Sequence, residues 1–177
     1  MRVEVLSKTN IGLAWNFHVS PKSCDNPEHY ERFLRLSAIS EYQSGRGITR
    51  VMIDDDGDES RIVGFMTLRA TSLIDYTGDN LYVAPSIEIA ELAIDEQYER
   101  QGYGRKLVDT SILIASLVNK MFIGAKYLML CSDPCSVDFY IKCGFGLLQD
   151  YYNVLHDGWN DNCTPMFMRI PEYDSIT

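Results

Sequence analysis

The sequence has little of what several classes of protein require. Only three histidines occur in 177 residues, at His18, His29 and His156, so no histidine-based metal or catalytic cluster is expected. No apolar run is long enough to span a bilayer, and the charged segment Met1–Leu6 lacks the apolar core of a signal peptide. Basic residues number 16 against 25 acidic ones, a formal charge of −9. This acidity disfavours non-specific nucleic-acid binding and suits cationic partners such as amines, lysines or protein N-termini.

Cysteine is present, but not in a pattern that indicates a metal site. The five cysteines are an odd number, and without a signal peptide they predict a cytoplasmic protein whose thiols are free. The C-x3-C and C-x7-C spacings of Cys131, Cys135 and Cys143 lack the tight pairs that zinc requires. The acidic stretch Asp54–Asp58 has its glycine at the wrong position for a calcium loop. We therefore predict no metal and no membrane attachment.

The length and composition suit a single domain that covers residues 1–177. The chain is 46% hydrophobic, which is enough for a sizeable core. Periodicity and turn residues predict, in order, a strand, a helix, a hairpin, a polar loop, a buried strand, a long helix, a second buried strand, a short helix and a final hairpin. The first strand covers residues 2–6, the first helix 28–43, the hairpin 51–54 with 61–70, and the polar loop 72–86. The first buried strand covers 87–94, the long helix 104–118, the second buried strand 126–131, the short helix 134–143, and the final hairpin 151–152 with 166–170. Residues 8–27 stay unassigned.

The segment from Ile87 to Leu107 organises the rest of the chain. It begins as a nearly continuous apolar run, which is typical of a strand buried on both faces. The run is followed by Gly102-Tyr103-Gly104 and then by a segment of helical character. Such a turn makes an anion site, because the first N–H groups of a helix lack intrahelical partners and glycine lets a phosphate approach closely. The strand, the helix and the next strand predict a parallel crossover.

Two motifs resemble the signatures of the GNAT N-acetyltransferase superfamily. Glu99–Gly104 is similar to the acetyl-CoA loop, in which Arg or Gln usually stands at the position of Glu99. Asp133–Phe145 is similar to the second signature, N-x-x-A-x-x-F-Y-x-x-x-G-F, with Asp133 in place of Asn and Ser136 in place of Ala. The motifs lie in the expected order, at a distance that the crossover explains. The resemblance covers residues 28 to 170, and its N-terminal half is similar to a subgroup that includes aminoacyl-tRNA-acetylating toxins.

The resemblance implies the fold, the cosubstrate and the residues that hold it. The implied fold class is α/β, or more narrowly α+β: a GNAT fold with a mixed, twisted central sheet of about six or seven strands flanked by helices. The cosubstrate would be acetyl-CoA, and a homodimer is common in the family. Backbone groups of Leu92, Ala93 and Ile94 would bind the pantetheine arm, which Asp133 would also contact. The pyrophosphate would lie on the backbone amides of Arg100, Gln101, Gly102, Tyr103, Gly104 and Arg105.

Three side chains are candidates for the proton transfers. By its place in the second motif, Tyr140 would be the general acid, because a phenol can donate a proton to the departing sulfur. Carboxylates in an apolar strand are costly unless they are paired, exposed to a cleft or used in chemistry. Glu88, which matches the catalytic Glu of histone-type members, is our first candidate base, and Glu91 is the second. The two point to opposite faces of a regular strand, unless a bulge intervenes. An aromatic packing role for Tyr140 and salt bridges for the carboxylates stay open.

We therefore expect an enzyme that moves an acetyl group from acetyl-CoA directly to a primary amine. No nucleophile–base pair indicates a covalent intermediate. The acceptor is a small amine, a peptide N-terminus or a lysine. One alternative is a toxin-like enzyme that acts on aminoacyl-tRNA, although such a substrate favours a basic surface. The other alternative is a non-catalytic GNAT module that binds acyl-CoA, which the departures at Glu99 and Asp133 keep open.

Overall fold

The computed structural model describes residues 1–24, 26–56, 59–77, 80–148, 152–153 and 163–172. The helices are α1 (Pro27–Arg32), α2 (Ala38–Gln43), α3 (Tyr103–Met121) and α4 (Val137–Lys142). A π-helical segment at Phe33–Ser37 joins α1 to α2, and 3-10 turns lie at Ile11–Asn16, Glu96–Tyr98 and Pro134–Ser136. The strands are β1 (Arg2–Val5), β2 (Ile48–Asp54), β3 (Arg61–Thr77), β4 (Asn80–Ile94), β5 (Tyr127–Ser132), β6 (Gly146–Leu147), β7 (Tyr152–Asn153) and β8 (Thr164–Arg169).

The strands form a mixed sheet. Their order is β1-β2-β3-β4-β5-β8-β6, and β7 pairs with β3. β2 runs antiparallel to β1 and β3, and β8 runs antiparallel to β5 and β6. β4 and β5 are parallel, and α3 connects them in the sequence. The mixed sheet with its helices confirms the predicted fold class, and the parallel pair confirms the predicted crossover.

The predicted polar loop at residues 72–86 is wrong. β3 continues to Thr77, and β4 already begins at Asn80. Leu73 is 1% exposed and belongs to an apolar cluster with Ala84 and Met129. The burial of these side chains favours extended strands over the loop that the polar residues and Pro85 indicated.

The predicted final hairpin is also wrong in its pairing. Tyr152 and Asn153 pair with Asp75 and Ile74 of β3, whereas β8 pairs with β5 and β6. Residue 151 lies outside the described residues. A sequence pattern identifies a strand but does not identify its partner when the partner is distant in the chain.

The contacts divide the chain into two compact units. Unit 1 consists of Met1–Arg69 with Ala90–Val108, and unit 2 consists of Ala70–Ile89 with Asp109–Thr177. No helix in the described part of the chain is long and apolar enough to cross a membrane.

The core of unit 1 forms between its N-terminal helical segments and β2, β3 and β4. Leu34, Phe65 and Ala93 are buried in one apolar cluster. The ring of Phe65 lies 5.5 Å from that of Phe17 and 6.1 Å from that of Phe33. Phe17 is 1% exposed, so the segment that the sequence left unassigned supplies part of this core.

Gly64 allows a close approach between β3 and its neighbours in unit 1. A Cβ atom at this position would lie 2.5 Å from Ile94 Cδ1, 2.8 Å from the Ala93 carbonyl oxygen and 3.1 Å from Leu107 Cδ1. A side chain at Gly64 would therefore collide with the end of β4 and with the first turns of α3.

A buried carboxylate joins the end of β4 to the N-terminal segment. Asp95 is 4% exposed. Its side chain accepts hydrogen bonds from the backbone N–H groups of Gln97 and His18, both at 3.0 Å. The Glu96 N–H donates to the His18 carbonyl oxygen at 2.8 Å, and the Asp95 N–H donates to the Val63 carbonyl oxygen at 2.9 Å. These bonds satisfy backbone groups that the irregular chain would otherwise leave unpaired.

Unit 2 contains a disulfide, which corrects the prediction that all thiols are free. Cys131 and Cys163 are bonded, with their Cα atoms 5.5 Å apart. The pairing of Ser132 with Thr164 brings the end of β5 beside the start of β8, so two cysteines separated by 32 residues become neighbours. The odd number of cysteines could not reveal this pair. The described thiols are those of Cys24, Cys135 and Cys143.

The predicted helix boundaries are confirmed in part. The Asn26 side chain caps α1 by accepting the His29 N–H at 3.3 Å, with Pro27 in the first turn. The single helix expected at residues 134–143 is a 3-10 turn followed by α4. Asp133 occupies the cap position without a side-chain cap hydrogen bond. Gly144 ends the segment with a φ of +96°, as glycine commonly does.

Candidate active site

The glycine turn of unit 1 contains two residues with a left-handed backbone conformation. Arg100 has a φ of +59° and Gly102 a φ of +85°. Left-handed residues close together in a turn can direct successive N–H groups toward one point, and α3 begins at Tyr103 immediately afterwards. The Lys106 N–H donates to the Gly102 carbonyl oxygen at 3.2 Å, which joins the turn to the helix. A left-handed arginine is uncommon and marks a constrained site.

A side chain at Gly102 would meet open space. No atom lies within 4 Å of a Cβ built on Gly102. Gly102 is therefore required by its backbone conformation rather than by crowding within the protein. The Gln101 side chain donates a hydrogen bond to the Gln97 carbonyl oxygen at 3.0 Å. This bond connects the turn to the residues that precede it.

Two tyrosines and a lysine flank the turn. The Tyr98 hydroxyl donates to Asp54 Oδ2 at 3.1 Å. Partial burial and this bond raise the pKa of Tyr98, so the phenol stays protonated. The Tyr98 ring lies 5.9 Å from the Tyr103 ring, edge to face. Lys106 Nζ lies 4.8 Å from the Tyr103 ring centroid, which places a cation in the first turns of α3.

The predicted pantetheine-binding residues lie in unit 1, beyond the part of β4 that pairs with β5. The parallel register of β4 with β5 comprises Ser86 to Glu88. In the described part of both strands, no further pair between them follows Glu88. Ala93 is buried at 6% exposure, whereas Leu92 and Ile94 are half-buried.

Glu91 forms a pair with a histidine that the sequence analysis did not select. His29 Nε2 lies 3.0 Å from Glu91 Oε1 and 3.1 Å from Oε2. The Glu91 side chain is 16% exposed and the His29 side chain 50% exposed. The two residues are 62 positions apart, so no local pattern could have revealed the pair. The possibility that Glu91 is paired, which the sequence left open, is confirmed.

Unit 2 contains the remaining predicted residues. Glu88 is 1% exposed and Tyr140 is 8% exposed. The Tyr140 ring lies 5.0 Å from Phe139 and 5.8 Å from Phe145, so its aromatic body is packed. The Asp133 carbonyl oxygen accepts from the Ser136 N–H at 2.9 Å. Glu88, Asp133 and Tyr140 thus share unit 2, whereas Glu91 and the glycine turn share unit 1.

Comparison with known proteins identifies the family. A family model described as an acetyltransferase (GNAT) domain matches residues 46–146, which is more than half of the chain. The protein is therefore an acetyltransferase, and it belongs to the GNAT family. Its cosubstrate is acetyl-CoA. No curated protein matches the sequence.

Solved structures with a similar fold include bacterial toxins. A Tyr-to-Phe mutant of the toxin AtaT gives a TM-score of 0.75 at 17% identity, covering 99% of this chain and 91% of that chain. The same mutant, bound to the C-terminus of the antitoxin AtaR and to acetyl-CoA, gives 0.68 at 17% identity, covering 99% and 94%. A KacTA–DNA complex gives 0.67 at 21% identity, covering 99% and 94%. At identities of 17% and 21%, the similarity shows a shared fold.

The residues of the turn fit the chemistry of coenzyme A. A turn with left-handed residues directly before a helix is a common type of anion site, and Arg100 and Lys106 bring positive charge to this turn and to the first turns of α3. The described residues contain no group of three or more His, Cys, Asp or Glu side chains that could hold a metal ion.

Proposed function

We propose that the protein transfers the acetyl group of acetyl-CoA directly to a primary amine. The observation that carries this proposal is the turn from Arg100 to Gly104, with left-handed residues at positions 100 and 102 directly before α3 and within the matched GNAT segment. That arrangement supports pyrophosphate binding by backbone amides. Leu92 to Ile94 would hold the pantetheine arm, and Asp133 would contact it.

The chemistry requires two proton movements. The acceptor nitrogen attacks the thioester carbonyl carbon, the C–S bond breaks, and the sulfur takes up a proton while the nitrogen loses one. Tyr140 would donate the proton to the sulfur, since a phenol remains protonated at neutral pH. Glu88 and Glu91 are the candidates on β4 for receiving the proton of the amine.

An acidic chain suits a cationic acceptor. The formal charge of −9 favours the approach of a protonated amine over that of a polyanion. Small amines, lysine side chains and peptide N-termini all meet this requirement. We place these acceptors ahead of nucleic acid.

A second candidate is acetylation of the amino group of an aminoacyl-tRNA by a toxin of this family. Its support is the coverage of the AtaT and KacT structures, which extends over 99% of this chain, N-terminal helices included. The acidity of the chain disfavours tRNA binding, because phosphate contacts need Lys and Arg. The first proposal therefore stands ahead of this one.

The experiment that tests the proposal measures CoA release from acetyl-CoA with three groups of acceptors. These are small amines, peptides with lysine or a bare N-terminus, and charged tRNA, each followed by mass analysis of the acceptor. We expect acetylated amine or peptide. Acetylated aminoacyl-tRNA alone would favour the toxin-like function. Tight acetyl-CoA binding without any acetylated product would favour the non-catalytic module.

A further inference from the structure

We infer that His29, held by Glu91, is the general base that removes the proton from the acceptor amine. The inference rests on the proposed function and adds a catalytic residue to it. It starts from the contacts that His29 Nε2 makes with both carboxylate oxygens of Glu91, at 3.0 and 3.1 Å. When a carboxylate accepts a hydrogen bond from one ring N–H of a histidine, it fixes the orientation of the imidazole and stabilises its protonated form.

The solvent exposures of His29, Glu88 and Glu91 favour His29 over either glutamate as the group that contacts the acceptor. The side chain of His29 is 50% exposed and that of Glu91 is 16% exposed, whereas Glu88 is 1% exposed. A base must come within hydrogen-bond distance of the proton that it abstracts. An acceptor that arrives from solvent can reach the exposed imidazole directly, and Glu91 lies behind it as the positioning residue.

The position of the pair along β4 places it next to the proposed cofactor-binding residues of the same unit. Glu91 directly precedes Leu92, the first residue proposed to hold the pantetheine arm. Glu91 and Ala93 point to the same side of the strand because side chains alternate, and Ala93 belongs to the apolar cluster that includes Leu34 of the N-terminal helical segments. His29, on α1, therefore meets β4 on the side that these segments cover.

An imidazole suits this reaction better than a buried carboxylate. Its ordinary pKa, about 6.5, lies near neutral pH, so it accepts a proton from an ammonium group and returns it to solvent readily. In the proposed step the amine N–H bond breaks, the proton moves to the imidazole, and the Glu91 carboxylate stabilises the positive charge. Titratable groups that contact the His29 ring are Glu91 on β4 and Tyr30 on α1, whose ring centroid lies 5.3 Å away. The same helix also carries Glu28, Glu31 and Arg32.

A second histidine in the same unit provides a matched control. The His18 side chain is 53% exposed, and its Nδ1 lies 3.6 Å from Glu31 Oε1. His18 contacts Asp95 and Glu96 through its backbone, which a side-chain substitution leaves in place. His18→Gln therefore makes the same chemical change as His29→Gln, at a similarly exposed His–Glu pair that the proposed step does not use.

The test measures kcat/KM against pH for wild type, His29→Gln, Glu91→Gln and His18→Gln, with the best amine found in the acceptor panel. At neutral pH we expect His29→Gln to lose about 100-fold in kcat/KM, Glu91→Gln to lose less, and His18→Gln to match wild type. The loss in His29→Gln should shrink as the pH rises, because the free amine then needs no base. Added imidazole should restore turnover to His29→Ala, while acetyl-CoA affinity stays at the wild-type value.

Two results would overturn the inference. One is a His29→Gln enzyme that keeps turnover within twofold of wild type at every pH. The other is a loss that is equal at every pH and is not restored by imidazole, which is the behaviour of a structural salt bridge. A thermal melt of each variant separates this second result from loss of fold. If the wild type acetylates no amine at all, the proposed function fails, and the inference fails with it.

Discussion

Unit 1 and unit 2 are stabilised by different kinds of contact. In unit 1, polar side chains bond to the backbone of distant segments, as Asp95 does to His18 across 77 residues and Arg35 does to the Phe17 carbonyl oxygen at 2.6 Å. In unit 2, β5 pairs with β8 along six residues, and the bond between Cys131 and Cys163 joins the ends of these strands. Paired strands occur in both units, since β2 pairs with β1 and β3 in unit 1. The difference lies in what is added to them: side chain to backbone hydrogen bonds position irregular segments in unit 1, and a covalent link joins two strands in unit 2.

The same contrast appears on β4 itself. Glu88, in unit 2, is 1% exposed, and Glu91, in unit 1, contacts an exposed histidine. Two carboxylates three residues apart thus differ in their environments, and Glu91 contacts a group that solvent can reach. The contrast agrees with the proposed role of His29 and Glu91 in amine deprotonation, because both residues belong to unit 1.

The largest effect on stability should come from removing the disulfide. Replacing Cys131 and Cys163 together by serine should lower the free energy of unfolding by about 3 kcal/mol, because the bond closes a long loop. Urea denaturation measures this loss, and reductant should produce a similar loss in wild type. Cys135→Ser, at an exposed thiol, is the control and should change little. Insensitivity of wild type to reductant would contradict the prediction.

The next effect concerns Tyr140. Tyr140→Phe keeps the packed ring but removes the hydroxyl, so kcat should fall about 100-fold while the Kd for acetyl-CoA stays unchanged. Tyr42→Phe, at a tyrosine that is 54% exposed, should behave as wild type in steady-state assays. Equal turnover in the Tyr140 variant would remove its role as general acid.

Gly64→Ala should destabilise unit 1 through crowding. The added Cβ would lie 2.8 Å from the Ala93 carbonyl oxygen and 2.5 Å from Ile94 Cδ1, so backbone must shift at a cost of about 2 kcal/mol. Gly12→Ala is the matched control, because no atom lies within 4 Å of its Cβ position. Similar urea midpoints for the two variants would mean that the strands of unit 1 are less tightly packed than we describe.

Gly102→Ala should have the smallest effect on stability but a specific effect on binding. The φ of Gly102 is +85° and that of Gly45 is +71°, and both Cβ positions are open. Each alanine variant should lose about 1 kcal/mol of stability, since an L-residue is strained there. Only the Gly102 variant should bind acetyl-CoA more weakly, by about tenfold, because strain at this φ would displace the backbone amides that we propose bind the pyrophosphate.

The sequence predicted features that depend on neighbouring residues. The glycine turn, the Asn26 cap and the parallel strand–helix–strand unit are local, and the structure contains all three. The His29–Glu91 pair, the Asp95–His18 bond and the disulfide join residues that are far apart in the chain, and none of them leaves a local pattern. The prediction of a loop at residues 72–86 was wrong for the same reason. The burial of these strands in unit 2 depends on residues far apart in the chain, and it outweighed the local turn signals.

A calorimetric titration of acetyl-CoA into wild type, Gly102→Ala, Gly45→Ala and Tyr140→Phe tests the proposed cofactor site most directly. We expect Gly45→Ala and Tyr140→Phe to bind as wild type does, and Gly102→Ala to bind about tenfold more weakly. Wild-type affinity in Gly102→Ala, or an equal loss in Gly45→Ala, would contradict the assignment of the turn at Arg100 to Gly104 as the cofactor site.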